Sequence, residues 1–256
     1  MDLKLAGKVA LVTGASAGIG AGIARVLAAE GATLALTARR RDRLEDLAAE
    51  LAAVGAASGA PAPTVIEADL MADDGPAAVR AAVLKAHGRL DILINNAGSS
   101  RTVPVDAPDS AWDEAMMLKF TMGRRLTTAF LPELRAHGWG RIIHVTGILE
   151  PTTTNAGLAG CAATHAWAKG MSRDLAPEGI TVNCLPPGRI VSEQIMNRLH
   201  PTEESRQAFI DANIPAGRFG EPEEFGNLVA FLCSPLADYI TGCVIPVDGG
   251  MHRFIQ

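Results

Sequence analysis

A glycine-rich stretch near the N-terminus is the first part of the sequence with a clear chemical use. Residues 13–20 read Thr-Gly-Ala-Ser-Ala-Gly-Ile-Gly and directly follow the apolar run of residues 9–12. Glycines before a helix let backbone N–H groups approach a phosphate, and the positive end of the helix dipole favours that anion. This pattern predicts a site for the pyrophosphate of a dinucleotide, although an ordinary tight turn between strand and helix is the alternative.

Three further groups of residues follow predicted strands. Asp69 comes after the third strand, residues 95–98 (Asn-Asn-Ala-Gly) after the fourth, and residues 187–188 (Pro-Gly) after the sixth. In an open parallel sheet, ligands bind in the crevice outside the carboxyl ends of the strands. The sequence therefore predicts one cleft that brings these residues together with the glycine-rich turn.

The elements that position this cleft are predicted from short apolar runs that alternate with longer helical stretches. The predicted strands are residues 9–13, 33–37, 64–67, 92–94, 141–145, 180–185 and 244–247, and the predicted helices are residues 19–30, 41–54, 75–86, 112–136, 157–175 and 222–232. This alternation predicts an α/β, doubly wound Rossmann-type parallel sheet, with residues 1–256 in a single domain. Residues 190–215 interrupt the alternation and are predicted to form a lid, with a packed surface excursion as the alternative.

The composition favours a small-molecule partner. The 256 residues are 48% hydrophobic and carry a net charge of −5, and the basic residues cluster only at residues 39–41. We therefore expect no binding to nucleic acid or to an anionic membrane. The four cysteines are far apart in the sequence, so no metal site is predicted, and the absence of a signal-like segment predicts a cytoplasmic protein.

Together, these motifs resemble those of the short-chain dehydrogenase/reductase family, in particular its 3-oxoacyl-carrier-protein reductases. The resemblance covers nearly the whole chain, including residues 240–242 (Ile-Thr-Gly) and 247–250 (Val-Asp-Gly-Gly). It implies that a nicotinamide dinucleotide binds in the cleft, with Asp69 at the adenine and Ser192 where the family has a threonine for the nicotinamide carboxamide. The full set of implied cofactor residues is Gly14, Ser16, Ala17, Gly18, Ile19, Gly20, Arg39, Arg40, Asp69, Leu70, Asn95, Ala97, Gly98, Pro187, Gly188, Ile190 and Ser192.

The residues after the second strand indicate which dinucleotide binds. An acidic residue there would hydrogen-bond the ribose hydroxyls of NAD, whereas this chain has Arg39 and Arg40. A guanidinium group suits a 2′-phosphate. We therefore predict NADP(H) as the cofactor, with the alternative that both arginines only begin a solvated helix.

The usual catalytic residues of the family are absent. The family carries Asn, Ser, Tyr and Lys, and its tyrosine transfers the proton. Aligned on the neighbouring motifs, these positions hold Lys119, Gly147, Gly157 and Cys161, and the only tyrosine, Tyr239, lies near the C-terminus. Standard carbonyl reduction is therefore in doubt, because the developing alkoxide has no evident proton donor.

Several polar residues could replace the missing groups. We expect Lys119 to project into the space left by the family lysine, with a lysine directed to solvent or to an interface as the alternative. Thr146 and Glu150 complete the candidate catalytic set. Other polar residues expected near the cleft are Asn155, Cys161, Arg189 and Arg101.

His165 and Lys169 have the spacing of the family's Tyr-x-x-x-Lys pair, and imidazole can act as a general acid. The alignment, however, places them further along the same helix than the usual catalytic positions. We therefore interpret His165 and Trp167 as packing residues.

Three functions are compatible with the sequence. The favoured one is an NADP(H)-dependent oxidoreductase that acts on a carbonyl or alcohol by a non-standard acid/base arrangement, because the cofactor motifs are retained. The second is a non-redox enzyme, an epimerase, dehydratase or lyase, in which Lys119 or Glu150 moves protons. The third is a non-catalytic NADP(H)-binding protein. The resemblance also implies a homotetramer or homodimer, formed through the predicted helices at residues 112–136 and 157–175.

Overall fold

The computed structural model describes residues 1–98, 103–147 and 155–253. Its centre is a six-stranded parallel sheet with the order β3-β2-β1-β4-β5-β6. The strands are β1 (Val9–Thr13), β2 (Thr33–Ala38), β3 (Thr64–Glu67), β4 (Ile92–Asn95), β5 (Gly140–Val145) and β6 (Ile180–Leu185). The predicted doubly wound fold is confirmed, and these six strands begin and end within one residue of their predicted bounds.

Helices cover both faces of the sheet, which explains why β1 and β6 are buried along their whole length. The helices are α1 (Gly18–Ala29), α2 (Arg41–Ser58), α3 (Gly75–His87), α4 (Asp109–Met116), α5 (Met122–Ala136), α6 (Ala156–Leu175), α7 (Glu203–Asn213) and α8 (Pro222–Cys233). On one face, Ile23 of α1 and Phe225 of α8 belong to one buried cluster. On the other face, Val83 of α3 and Phe130 of α5 belong to a second.

The helix predicted over residues 112–136 is divided in the structure. α4 ends at Met116, the segment Met117–Thr121 forms a π-helical turn, and α5 begins at Met122. A π turn is a rare local widening of a helix that often occurs at functional sites. It places Lys119 in the middle of the irregular turn.

The predicted strand over residues 244–247 is not a continuous strand. Val244 and Val247 form isolated parallel bridges with Cys184 and Pro187, beside the end of β6. The ladder is interrupted because Pro186 has no N–H to donate to this segment. The segment still borders the sheet, since Val247 N donates to Pro186 O at 3.0 Å.

The predicted lid region contains a second π-helical turn, Ile195–Leu199, and α7. Ile195 packs with Ile214 and Phe219 in a small cluster of its own. Val191 N donates to Gly220 O at 2.8 Å, which fixes the start of the region. Its role as a lid stays a prediction. Within the described residues, no helix combines the length and the apolar character needed to cross a membrane.

Candidate active site

A cleft of about 830 Å³ lies along the carboxyl ends of the strands. It brings together the residues that the sequence predicts at the cofactor and those that it predicts at the family's catalytic positions. The predicted cofactor residues that line it are Gly14, Ser16, Ala17, Gly18, Ile19, Gly20, Arg39, Arg40, Asp69, Leu70, Asn95, Ala97, Gly98, Pro187, Gly188, Ile190 and Ser192.

Two polar side chains hold the glycine-rich turn against the loop after β4. Thr13 Oγ1 donates to Ile94 O at 3.0 Å and accepts from the backbone N–H groups of Asn96 and Ala97, both at 2.9 Å. Asn96 Nδ2 donates to the carbonyl oxygens of Thr13 and Gly14 at 2.8 and 3.2 Å. Thr13 and Asn96 were missing from the predicted set, although both belong to the motifs that indicated the site.

The start of α1 is shaped to receive an anion. Gly14 and Gly18 have φ angles of +64° and +54°, which favour glycine. The N-cap, Ala17, offers no side-chain hydrogen bond, and the first turn of the helix has no acidic residue. The first N–H groups of the helix therefore keep their hydrogen-bonding capacity and their positive dipole for a ligand. This arrangement fits a pyrophosphate.

Two of the predicted cofactor residues also have structural partners. Asn95 is buried, and its Nδ2 donates to Thr127 Oγ1 of α5 at 2.9 Å. Asp69 Oδ1 accepts from the N–H of Met71 at 3.0 Å and so closes the turn after β3. The amide of Asn95 thus anchors α5 to β4, and the side chain of Asp69 stabilises its own loop at the edge of the cleft.

Arg39 and Arg40 are exposed at the β2 end of the cleft. Arg40 Nη2 donates to Ser16 Oγ at 3.4 Å, and its Nη1 lies 3.5 Å from a carboxylate oxygen of Glu193. Glu193 also forms an ion pair with Arg43. The hydrogen bond from Arg43, and secondarily that from Arg40, lowers the pKa of Glu193. Arg40, which is predicted to bind the 2′-phosphate, is thus already paired with a carboxylate.

The four positions that the sequence analysis aligned with the family's catalytic residues lie in the same cleft. Lys119, Gly147, Gly157 and Cys161 all line it. Lys119 Nζ lies 3.9 Å from the point that a Cβ on Gly98 would occupy. The amino group therefore reaches the loop after β4. The predicted placement of Lys119 in the space of the family lysine and its catalytic role stay predictions.

The backbone around Lys119 is adapted to its position. Its carbonyl oxygen accepts a hydrogen bond from Thr164 Oγ1 at 2.7 Å, so a side chain of α6 supports the π-helical turn. A Cβ on Gly160 would lie only 2.7 Å from the Cβ of Lys119. The stem of Lys119 thus needs a residue without a side chain at this point of α6. Among the described residues, no carboxylate pairs with Lys119.

Cys161 is 2% exposed, and a Cβ on Gly147 would lie 3.2 Å from its sulfur. Burial raises the pKa of the Cys161 thiol, and the positive charge of Lys119 opposes this effect only in part. The thiol form therefore prevails at neutral pH, which is typical of a packing cysteine rather than a nucleophile.

Thr146 points towards α6, where its Oγ1 lies 2.7 Å from His165 Nε2. Burial lowers the pKa of His165 to about 4, so the imidazole is neutral at pH 7. Lys169 does not pair with His165, because its Nζ donates to Gly242 O at 3.2 Å. His165 is buried, as the packing interpretation requires, but that interpretation missed its hydrogen bond to a candidate catalytic hydroxyl.

The remaining candidates separate into two groups. Asn155 is the N-cap of α6, with its Oδ1 accepting from Gly157 N at 2.8 Å and from Leu158 N at 3.4 Å. Its polar side chain therefore has a structural use. Glu150 and Arg101 lie outside the described residues.

Comparison with known proteins finds relatives that match nearly the whole length of the chain. The model of a family described as "Enoyl-(Acyl carrier protein) reductase" matches residues 14–252. The chain is 38% identical to a 3-oxoacyl-[acyl-carrier-protein] reductase of Vibrio cholerae, over 98% of this chain and 99% of the relative. It is 35% identical to a rhamnolipid-biosynthesis 3-oxoacyl-[acyl-carrier-protein] reductase of Pseudomonas aeruginosa, over 97% of both chains.

Solved structures are also similar to this chain over nearly its whole length. L-sorbose reductase from Gluconobacter frateurii, crystallised with NADPH and L-sorbose, superposes with a TM-score of 0.93 and is 33% identical, with 100% of both chains covered. The Pseudomonas aeruginosa protein RhlG, crystallised with NADP, has a TM-score of 0.89 and 34% identity, over 98% of this chain and 99% of the other. The similarity therefore extends to the whole architecture that forms the cleft.

Proposed function

Because the chain belongs to the short-chain dehydrogenase/reductase family, we propose that it is an NADP(H)-dependent oxidoreductase in which Lys119 replaces the family tyrosine as proton donor. The observation that carries this proposal is the position of Lys119. Its amino group lies in the cleft beside Gly98, and no carboxylate among the described residues neutralises it. The substrate is a carbonyl compound or the corresponding alcohol.

The cleft has groups that fit each part of NADP(H). The uncapped start of α1 would hold the pyrophosphate, and Arg39 and Arg40 would hold the 2′-phosphate. Asp69, Leu70 and Ser192 line the cleft. In this proposal Asp69 and Leu70 would contact the adenine, and Ser192 would contact the nicotinamide carboxamide. When bound there, the dihydronicotinamide would supply the hydride that adds to the carbonyl carbon. The NADPH and NADP complexes of the two similar structures support this cofactor.

Lys119 would act on the carbonyl oxygen. Its ammonium group has three N–H donors and no acceptor, so it can hydrogen-bond that oxygen and stabilise the negative charge that develops on it. It then transfers one proton to the alkoxide and becomes a neutral amine. In the reverse direction, the same nitrogen takes the proton of the alcohol. Thr164 and Gly160 position this lysine and do not contact the reacting atoms in this scheme.

The first experiment is calorimetric titration with NADPH and, separately, with NADH. Micromolar binding of NADPH and much weaker binding of NADH is the expected result. Comparable affinities for the two would contradict the role of Arg39 and Arg40. If neither binds, the oxidoreductase proposal is wrong.

The second experiment tests Lys119 by the loss of NADPH absorbance with a panel of carbonyl compounds. Lys119→Met keeps an unbranched side chain that is one atom shorter and removes its charge, and Lys85→Met, at an exposed lysine near the end of α3, is the matched control. A general acid contributes about 10²- to 10⁴-fold, so kcat should fall by that factor only in Lys119→Met. An unchanged kcat with normal NADPH binding would refute the role of Lys119.

The same assays distinguish the alternative functions. Product formation that does not depend on added NADP(H) would favour an epimerase, dehydratase or lyase. Tight NADPH binding without turnover of any carbonyl or alcohol class would favour a non-catalytic NADP(H)-binding protein. We also propose that the protein forms a homodimer or homotetramer through α4, α5 and α6, and light scattering would measure the mass of that oligomer. We further propose a cytoplasmic location.

A further inference from the structure

Arg189 is a second cation of the cleft, and neither the cofactor site nor proton transfer uses it. It directly follows the Pro-Gly pair at residues 187–188 and lines the same cleft as Lys119. Its backbone is fixed on both sides. Gly220 N donates to Arg189 O at 2.9 Å, and Gly188 N donates to Val247 O at 2.9 Å. The side chain therefore starts from an anchored point.

Two aromatic side chains orient the guanidinium group. Its central carbon lies 4.6 Å from the centre of the Phe209 ring, which is a favourable cation–π distance. Arg189 Nε donates to His200 Nε2 at 3.3 Å. Because arginine has no acceptor, this bond assigns the proton of His200 to Nδ1. Burial, and secondarily the charge of Arg189, lowers the pKa of His200, which keeps the ring a neutral acceptor.

Arg189 has no carboxylate partner in the part of the chain that the structure describes. Burial lowers the pKa of its guanidinium group, and no acidic residue opposes that effect. Two other arginines show the usual arrangement, since Arg141 pairs with Asp238 and Arg25 with Glu50. A partly buried cation without a counter-charge is costly, and an anion would offset that cost. Nη1 and Nη2 of Arg189 are not among the described buried polar atoms that lack a partner, so they are open to water and accessible to such an anion.

The cofactor does not supply this anion. The arginines assigned to the 2′-phosphate lie at β2, and β1, β4 and β5 separate β2 from β6 in the sheet. At a strand spacing of about 4.8 Å, the two ends of the cleft are roughly 19 Å apart. The pyrophosphate is assigned to the start of α1. Arg189 is instead close in sequence to Ser192, which is predicted to lie at the nicotinamide carboxamide, and the nicotinamide ring carries no negative charge in either oxidation state. The lining of this end of the cleft combines the apolar residues Ile195, Leu199 and Met251 with the polar residues Glu193 and Gln194, and Glu193 is paired with Arg43.

We propose that Arg189 binds a carboxylate group of the substrate and thereby selects oxo acids or hydroxy acids over neutral carbonyl compounds. Nη1 and Nη2 remain for the carboxylate, because Nε is used by His200, and a guanidinium group can hold both oxygens of a carboxylate. This inference rests on the proposed function, since it names the class of substrate for the same cleft.

The test uses matched pairs of probes that differ only in charge. Straight-chain oxohexanoates, with the ketone at each position from carbon 2 to carbon 5, are compared with their primary amides. Binding is measured by calorimetry with and without NADP⁺, so the result does not depend on turnover. The variants are Arg189→Gln and Arg189→Lys, and the control is Arg198→Gln, an exposed arginine of the same region.

We expect at least one acid to bind about 30-fold more tightly than its amide, which corresponds to about 2 kcal/mol. Arg189→Gln should abolish this preference, Arg189→Lys should keep part of it, and Arg198→Gln should keep all of it, with unchanged NADPH binding in each. Equal binding of acids and amides would overturn the proposal, as would an acid preference that survives in Arg189→Gln. Weaker NADPH binding in Arg189→Gln would assign Arg189 to the cofactor and would also overturn it. A carboxylate preference without any turnover would instead contradict the proposed function alone.

Discussion

Replacing Gly160 by alanine tests whether the structure places Lys119 correctly. The new Cβ would lie 2.7 Å from the Cβ of Lys119, closer than two such carbon atoms can approach. The contact involves the root of the lysine side chain, so a rotation of its flexible end cannot relieve it. Either the π-helical turn or α6 must move, and Lys119 Nζ would then leave its position beside Gly98.

The magnitude follows from a comparison with Gly170, a second glycine of α6. A Cβ on Gly170 would meet nothing within 4 Å, and the residue is exposed. Alanine there should stabilise the protein by about 0.5–1 kcal/mol, which is the helix preference of alanine over glycine. Gly160→Ala gains the same preference and loses about 1–3 kcal/mol to overpacking. The two variants should therefore differ by about 1–3 kcal/mol.

Urea unfolding measures this difference, and a double-mutant cycle assigns it to Lys119. In a Lys119→Gly background the opposing Cβ is gone, so Gly160→Ala should become as stabilising as Gly170→Ala. In the wild-type background, Gly160→Ala should also reduce kcat with little change in NADPH affinity. If Gly160→Ala stabilises the wild-type protein as much as Gly170→Ala does, the described packing of Lys119 is wrong.

Three further predictions concern the hydrogen bonds and charges of the cleft. Burial lowers the pKa of His144 and His165 to about 4 in the folded protein. A histidine of the unfolded chain has a pKa of about 6.5, so below that pH the unfolded chain binds more protons than the folded one. The free energy of unfolding should therefore fall by about 2 kcal/mol for each histidine between pH 7 and pH 5. In urea titrations, the free energy of unfolding of His165→Asn should fall less than that of the wild type between pH 7 and pH 5. An equal fall would contradict the lowered pKa of His165. Arg40→Ala should weaken NADPH binding at least tenfold and leave NADH binding unchanged. Glu193→Gln should tighten NADPH binding about two- to fivefold, because it removes an exposed ion pair that competes for Arg40. If calorimetry shows no effect of either substitution on NADPH binding, the assignment of Arg40 to the 2′-phosphate is wrong. Asn96→Ala should cost about 1–3 kcal/mol, because two backbone carbonyls lose their donor, and an unchanged urea midpoint would show that these bonds are dispensable.

The regular elements could be predicted because their signals are local. Each strand is a short apolar run bounded by turn residues, and the run itself is enough to recognise the strand. The predicted helix over residues 41–54 was too short, since α2 continues to Ser58 before the left-handed Gly59 ends it. The π-helical turn of residues 117–121 contains no glycine or proline from which it could be predicted. Its support includes the hydrogen bond from Thr164, which only the folded chain provides.

The candidate site could be predicted in part for the same reason. Family motifs identified the residues of the cleft, since each follows directly after a strand or starts a helix. Side-chain partners could not be predicted, because they join residues far apart in the sequence. Glu193 reaches Arg40 from the predicted lid, and His165 reaches Thr146 from α6. Nothing in a linear pattern distinguishes these pairs from the many others of suitable chemistry.

The two cations of the cleft should contribute to different steps of the reaction. Under the proposals above, Arg189 faces a charge that the substrate carries permanently, whereas Lys119 faces a charge that appears on the carbonyl oxygen only in the transition state. An interaction made equally in the ground state and the transition state affects KM, and one made only in the transition state affects kcat.

Steady-state kinetics with an oxo acid can therefore separate the two roles. Arg189→Gln should raise KM about 30-fold and leave kcat within a fewfold of the wild type, and Lys119→Met should lower kcat about 100-fold or more with little change in KM. The amide of the same acid should be insensitive to Arg189→Gln and remain sensitive to Lys119→Met. If Lys119→Met raised only KM, the lysine would be a second substrate-binding group, and the proton would have to come from another residue of the cleft.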